Sequence, residues 1–415
     1  MDQSSAAPAP SRAARRITSS AIRELLAVAN RPGVISLAGG LPSARHFPIE
    51  ETAEVMGELL RRDPDALQYS STEGDAGLRE WVAARHGTRI DQVLITHGSQ
   101  QALDLIARVA LDPGDPVALA DPGYIGAIQA MRLSGGRLIA LPTDDHGLAV
   151  EALEERLRTG VRPRLVYVVP NFHNPTGATL SAPRARLLAE LADHYGFLIV
   201  EDDPYGEIRF RGIAPPPLAT LTDRVATVGT ISKVLFPGLR VGWIAAPSSV
   251  APSLALVKQA VDLHTATLTQ RVALGLLTRP GFLERHVAML RSHYAQQSRI
   301  LAQALGTELG DTLDVTAPAG GMFLWARVRP PGLDTRALLP RAIDRGVAYV
   351  PGSAFSVDSP HRSSLRLSFA TVSPEELAEG ARRLAHVVLD QLDRSRPGPR
   401  PPTTITPTTS APTSR

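Results

Sequence analysis

The chain has 415 residues, 43% of them hydrophobic and 20% charged, enough for a large domain with a smaller one beside it. Its 44 Lys and Arg stand against 41 Asp and Glu, scattered and without interleaved aromatics, which argues against nucleic-acid binding. Cysteine is absent, which removes disulfides, thiol nucleophiles and thiolate metal sites, and no apolar run is long enough to span a membrane.

The opening MDQSSAAPAPSRAARR lacks the apolar stretch of a secretory signal. Its Ala, Ser and Arg share the composition of a transit peptide, but residues 1–15 read as a disordered arm, and the expected location is the cytoplasm. SSAIRELLAVANRPG follows with a helical pattern. Then short apolar runs alternate with amphipathic stretches. VLITHG, PVALADP, LVYVVPN, FLIVEDD, VATVGT and RVGWIAAP predict strands without clean polar alternation, as in a sheet covered on both faces. Between them SQQALDLIARVA and APRARLLAELADHYG predict helices, so the class is α/β with a parallel sheet. After Val250 the pattern changes. A long helix through GFLERHVAMLRSHYAQQSRILAQAL precedes strands at GMFLWARV, VAYVPG and LRLSFA. Helices at DTRALLPRAIDRG and PEELAEGARRLAHVVLDQL complete a smaller α+β domain. The expected division is a segment 16–45 packing with the small domain and the substrate site, a large domain 46–285, a small domain 286–394 and a disordered Pro/Thr/Ser-rich tail 395–415.

Ligands of open parallel sheets bind beyond the carboxyl ends of the strands, and several such ends carry polar clusters. In THGSQQALDL a helix begins at Ser99, and its free N–H groups suit a phosphate. A Ser cap with nothing bound is the plain alternative. In NFHNPTGATL, Asn174 follows a buried strand. A turn accounts for its Pro and Gly but not for so many polar side chains. In FLIVEDDPYGEI, three carboxylates, Glu201, Asp202 and Asp203, end a buried strand, where charge is costly without a partner. A protonated pyridine nitrogen is one such partner. A metal is the alternative, disfavoured because no histidine cluster accompanies the acids. In GTISKVLFPGLRVGW a strand delivers Thr230, Ser232 and Lys233, followed by Arg240. Lysine bonds covalently to aldehydes. The chain has only one other lysine, Lys258, in the middle of a helical stretch, which is a poorer place for a nucleophile. In LRLSFA, Arg366 lies among apolar neighbours and needs an anion, either a substrate carboxylate or an internal partner.

SLAGGLP, LQYSSTEGDAGLRE, GSQQALDL, DPGY, NPTG, EDDPY, SKVLFPGLRVGW, DLHT and GGMFLW occur in one order from about Arg16 to the last helix. In this the chain resembles the class I/II aminotransferases of fold type I, most of all the subgroup containing 2-aminoadipate and kynurenine aminotransferases. The resemblance implies a mainly parallel, seven-stranded sheet and pyridoxal 5′-phosphate as cofactor. Lys233 would hold the cofactor aldehyde and, once released, carry the proton. Asp202 would pair with the pyridine nitrogen, Tyr205 and Asn174 would bond the ring 3-oxygen, and Tyr124 would stack on the ring. Ser99, Gln100, Thr230, Ser232 and Arg240 would hold the phosphate, and Tyr69 would reach it from a partner chain, so that a homodimer shares its sites. Arg366 with Asn174 would take the substrate α-carboxylate, while Gly39 and Gly40 let the backbone close over it. Arg23, with Ser20 one turn before it, would meet an acidic side chain. Thr230 stands where relatives often carry Ser, and the hydroxyl is kept. Substrates would be an amino acid (2-aminoadipate, glutamate, aromatic or branched-chain) and a 2-oxo acid such as 2-oxoglutarate.

Two other readings use the same residues. An oxidase, eliminase or decarboxylase of specialised metabolism needs the same carbanion chemistry. A regulator of the MocR type fuses this fold to a DNA-binding domain, for which the sequence before the aminotransferase-like region offers no room.

Overall fold

The computed structural model describes residues 9–17 and 31–395, so Ser20 and Arg23 lie outside the described residues. In chain order the elements that position the site are β1 (Ile35–Ser36), α1 (Ile49–Arg62), α2 (Ala76–His86), β2 (Val93–Thr96), α3 (Gly98–Ala110), β3 (Pro116–Asp121), α4 (Ile125–Leu133), β4 (Arg137–Asp144), β5 (Gly147–Leu148), α5 (Val150–Arg158), β6 (Leu165–Val168), α6 (Ala182–Tyr195), β7 (Leu198–Asp202), β8 (Val225–Thr230) and β9 (Gly242–Ala245). The remaining elements are α7 (Ala251–Asp262), α8 (Thr267–Leu277), α9 (Phe282–Leu309), β10 (Leu313–Thr316), β11 (Phe323–Val328), α10 (Thr335–Asp344), β12 (Val347–Ala348), β13 (Val350–Pro351), β14 (Ser364–Ser368) and α11 (Pro374–Ser395).

The large sheet runs β2-β9-β8-β7-β6-β3-β4-β5. Strands β8, β7, β6, β3 and β4 are mutually parallel; β9 is antiparallel to both of its neighbours. Eight strands replace the seven expected because β5, two residues long, folds back antiparallel on β4 at the edge. The six predicted strands of this sheet are all present. Their side chains alternate between two cores: Leu165, Tyr167 and Val200 face the layer of α3 and α4, while Val166, Val168 and Ile199 face α5 and α6. Burial on both faces is why these strands read as continuous apolar runs. The sequence reading names no strand at β4 or β10. Along β4 buried and exposed residues interleave, because only the short β5 lies beyond it, so its apolar signal is diluted.

The second sheet, β10-β11-β14-β13, is antiparallel. It packs with α9 and α11 through a core that includes Leu301, Leu305, Leu324, Leu367 and Leu384. β1 pairs parallel with β12 and so brings Ala38, Gly39 and Gly40 next to the second sheet. Among the described residues, no helix is long and apolar enough to cross a membrane and no group of three or more His, Asp or Glu could hold a metal ion.

Candidate active site

The carboxyl ends of β6, β7 and β8 and the start of α3 open onto one cavity of about 380 Å³. Its wall includes Ser99, Gln100, Tyr124, Asn174, Asp202, Tyr205, Thr230, Ser232, Lys233, Arg240, Arg366 and Gly40. Twelve residues from seven motifs scattered over more than 300 positions thus meet on one cavity. Gly39 is buried beside Gly40 but does not line the cavity. Tyr69 is 78% exposed, with its ring edge-on to His264 at 5.5 Å, and stands apart from the cavity of its own chain.

The alternation of β7 sorts the three acids. Glu201 points to the opposite face, where it accepts the Leu218 N–H at 3.0 Å and the Thr227 hydroxyl at 3.1 Å. Asp203 accepts Asn171 Nδ2 at 2.7 Å and the Gly206 N–H at 2.8 Å. Asp202 alone faces the cavity. Tyr167 donates its hydroxyl to Asp202 Oδ2 at 2.7 Å, whereas Oδ1 is buried with no partner among the described residues. Burial raises the Asp202 carboxyl to about 7, against the lowering effect of the Tyr167 bond, with Asp203 adding to the rise. A cation at Oδ1 is what this carboxylate needs in order to stay ionised. Tyr167 is absent from the sequence-based site. Its one visible signal is a hydroxyl in the otherwise apolar run LVYVVP.

Lys233 lies in the turn after β8 and donates its Nζ to the Gly40 carbonyl at 2.9 Å. Burial, then the charges of Arg366 and Arg240, lower its ammonium to about 8, so a neutral, nucleophilic amine is accessible near physiological pH. Lys258 is also buried, but its Nζ is bound to Asp262 at 2.7 Å, four residues along α7.

An anion cradle lies at the other end of the cavity. Thr230 donates to the Val241 carbonyl at 2.9 Å and accepts the Ser232 N–H at 3.1 Å, which folds the segment after β8 back on itself. Arg240 takes the left-handed conformation (φ 52) and donates to the His97 carbonyl at 3.1 Å, directly before α3. Gly98 makes this possible: with φ +74, an added Cβ would lie 2.6 Å from Arg240 Nη2. The guanidinium, two hydroxyls and the positive end of α3 converge there.

Arg366, 2% exposed, sits between aromatic faces, 4.1 Å from the Phe323 ring centroid and 5.0 Å from that of Phe355. Its Nη1 donates to Asn174 Oδ1 and its Nη2 to the Ala38 carbonyl, each at 2.8 Å. Among the described residues its Nε is buried without a partner, and no carboxylate is among its hydrogen-bond partners. Gly40 leaves room beside it, since a Cβ there would meet Phe323 at 3.4 Å and Arg366 Nη2 at 3.9 Å. Burial lowers the guanidinium to about 10, still charged at neutral pH. The aromatic shelf under Arg366 is likewise absent from the sequence-based site, because a Phe in a strand reads as core.

The sequence profile of the aminotransferase class I and II family matches residues 32–384. The chain belongs to that family. It is 43% identical over 381 residues to the 2-aminoadipate transaminase of Thermus thermophilus, covering 90% of this chain and 95% of that one. It is 40% identical over 388 residues to aromatic-amino-acid aminotransferase 1 of Thermococcus litoralis, covering 90% and 93%. The solved alpha-aminoadipate aminotransferase of Thermus thermophilus, complexed with N-(5′-phosphopyridoxyl)-L-leucine, aligns with a TM-score of 0.87 at 42% identity, covering 92% of this chain and 98% of that chain. This aminotransferase transaminates amino acids and uses pyridoxal 5′-phosphate. The cavity fits that cofactor: the partnerless Asp202 Oδ1 suits a protonated ring nitrogen, Lys233 suits the aldehyde, and the Arg240 cradle suits the phosphate.

Proposed function

We propose that this aminotransferase works with acidic, aromatic and branched-chain L-amino acids and a 2-oxo acid such as 2-oxoglutarate, in a homodimer with shared sites. The observation that carries the residue roles is the convergence of Lys233, the free oxygen of Asp202 and the carboxylate-free Arg366 on one cavity. When bound, the cofactor supplies an aldehyde for the amino group and an electron-withdrawing ring that stabilises negative charge at the substrate Cα. Lys233 holds the aldehyde and then carries the proton at Cα. Asp202 keeps the ring nitrogen protonated, and Tyr167 holds the opposite carboxylate oxygen. Asn174 and Tyr205 would hold the cofactor by its ring 3-oxygen, and Tyr124 would pack against its ring. Ser99, Gln100, Thr230, Ser232 and Arg240 bind the phosphate, and Arg366 with Asn174 orients the substrate by its α-carboxylate.

The deciding experiment is a half-reaction. An L-amino acid added to the loaded enzyme is expected to convert the aldehyde form to the amine form, followed in the cofactor absorbance, and a 2-oxo acid to restore it. Release of carbon dioxide or ammonia, without that reversible conversion, would support a decarboxylase or eliminase and reject the transamination reading. The names of the relatives motivate 2-aminoadipate and phenylalanine in a panel that also contains glutamate and leucine. For the acidic members Arg23 and Ser20 are the proposed partners. Arg23→Ala is expected to lower kcat/KM for 2-aminoadipate and glutamate about ten- to a hundredfold, the scale of a lost charged hydrogen bond, and to spare leucine and phenylalanine. Equal losses in both classes would remove Arg23 from substrate selection.

The homodimer reading rests on Tyr69 and its exposed apolar neighbourhood. Leu67 is 67% exposed and Leu263, next to the His264 that Tyr69 touches, is 49% exposed. Tyr69 is proposed to reach the partner's phosphate site. Sedimentation is expected to show an active dimer, and Tyr69→Phe to weaken cofactor retention about tenfold through the loss of one phosphate hydrogen bond. A monomer with full activity at assay concentration would contradict this arrangement. We place the enzyme in the cytoplasm, a reading motivated by the absence of cysteine.

A further inference from the structure

Another buried carboxylate stands at the end of β3. Asp121, 6% exposed, precedes Tyr124 by three residues in DPGY. Its Oδ1 accepts the Val357 N–H at 3.1 Å and His361 Nε2 at 2.8 Å, and its Oδ2 accepts the N–H groups of Asp358 and Ser359 at 3.1 and 2.7 Å. All four donors come from the loop that joins Phe355 to β14. The Gly123 N–H adds a bond to the Phe355 carbonyl at 2.9 Å. Burial pushes the Asp121 carboxyl up, but the His361 bond and the three backbone N–H groups outweigh it and hold it at about 2, so the carboxylate is charged at any working pH.

The latched loop borders the substrate site at both of its ends. At one end the Phe355 ring lies beneath the Arg366 guanidinium, and at the other the chain enters β14, which carries Arg366 itself. Trp325, the register partner of Arg366 on β11, sets its ring edge-on against Phe355 at 6.0 Å and against His361 at 6.4 Å. His361 holds a left-handed backbone (φ 42), uncommon for a residue other than glycine, and its ring is anchored by Asp121. Of Asp121, Trp325, Phe355 and His361, Phe355 alone lines the cavity. The latch therefore ties the segment leading to Tyr124, on the large sheet, to the shelf under Arg366, on the small one.

We propose that Asp121 and His361 are positioning residues for Arg366: their contact holds Phe355 under the guanidinium and so fixes where it meets the substrate α-carboxylate. The inference rests on the proposed role of Arg366, and a double-variant design separates the two. His361→Phe keeps a ring but removes the donor, and His361→Gln keeps an N–H at the end of the side chain. In the holoenzyme, His361→Phe is expected to raise KM for both the amino acid and the 2-oxo acid about five- to tenfold, with kcat and cofactor affinity nearly unchanged. His361→Gln is expected to bring KM back to within about twofold of the parent. Added to Arg366→Leu, His361→Phe should raise KM no further, because the group it positions is gone. If Arg366→Leu itself leaves KM unchanged, the carboxylate role of Arg366 fails and the latch proposal fails with it. If Arg366→Leu raises KM while His361→Phe does not, or raises it equally with and without Arg366, the positioning role is overturned and the carboxylate assignment stands. Joint loss of kcat, KM and cofactor affinity in His361→Phe would mark a merely structural contact and also overturn the proposal.

Discussion

Lys233→Ala is expected to lower kcat for transamination by at least about 10⁴-fold, the upper range of what one acid–base group contributes, because the same side chain is proposed both to hold the aldehyde and to move the proton. The local chemistry supports this weight on one residue. Lys233 is buried, and among the described residues its Nζ is bonded to the Gly40 carbonyl and to no carboxylate. Its folded value of about 8 lies below the ordinary lysine value through burial and the charges of Arg366 and Arg240. Since that value is depressed, the neutral amine that attacks an aldehyde is populated above about pH 8 and lost as the pH falls below it. The rate at which the apoenzyme captures pyridoxal phosphate should therefore rise with pH and level off from about pH 8 upward, whereas an ordinary lysine would keep gaining to beyond about pH 10. Borohydride reduction of the loaded enzyme followed by peptide mass mapping checks the assignment directly. The pyridoxyl group belongs on the peptide containing Lys233. A label on Lys258 would overturn the site, although Lys258 is bound to Asp262 within its own helix.

Asp202→Asn is expected to cost about 3 kcal/mol of barrier, roughly a hundredfold or more in kcat, with a much smaller effect on cofactor retention. The distinction follows from distance along the cavity wall. Retention is expected to depend mainly on the Arg240 cradle, Thr230, Ser232 and the start of α3, whose hydrogen bonds do not involve Asp202. Asparagine preserves the size of the side chain but carries no charge to hold a ring nitrogen in its protonated form. Parallel measurement of kcat and of the cofactor dissociation constant separates the two effects. Near-normal turnover in this variant would transfer the role to another group. Glu201 and Asp203 are poor replacements, since each already accepts two hydrogen bonds away from the cavity.

Much of this enzyme is legible in the chain itself. The apolar runs of β2, β3 and β6 to β9 announce a covered sheet because both faces of those strands are buried, and the polar residues after them stand out against that background. Lys233 is conspicuous because the chain has two lysines, and Arg366 because a guanidinium in an apolar strand demands an anion. The edges of the sheets are less legible. β4 interleaves exposed with buried residues, and β5 is two residues long, so their patterns resemble loops.

Tertiary structure decided what depends on direction and on neighbours distant in sequence. By residue type alone EDD presents three equivalent acids, among which the family resemblance points to Asp202, and the pleat of β7 turns only Asp202 toward the cavity. Tyr167 reads as one more strand aromatic until β6 and β7 lie side by side and its hydroxyl meets Asp202 across 35 positions. Phe355, Trp325 and the Asp121–His361 contact, whose two partners are 240 positions apart, acquire meaning only when the end of β3 and the loop before β14 are brought together. Local pattern records how each residue is solvated. Which group faces which is set by strand register and by packing of the two sheets, and no window along the chain contains that information.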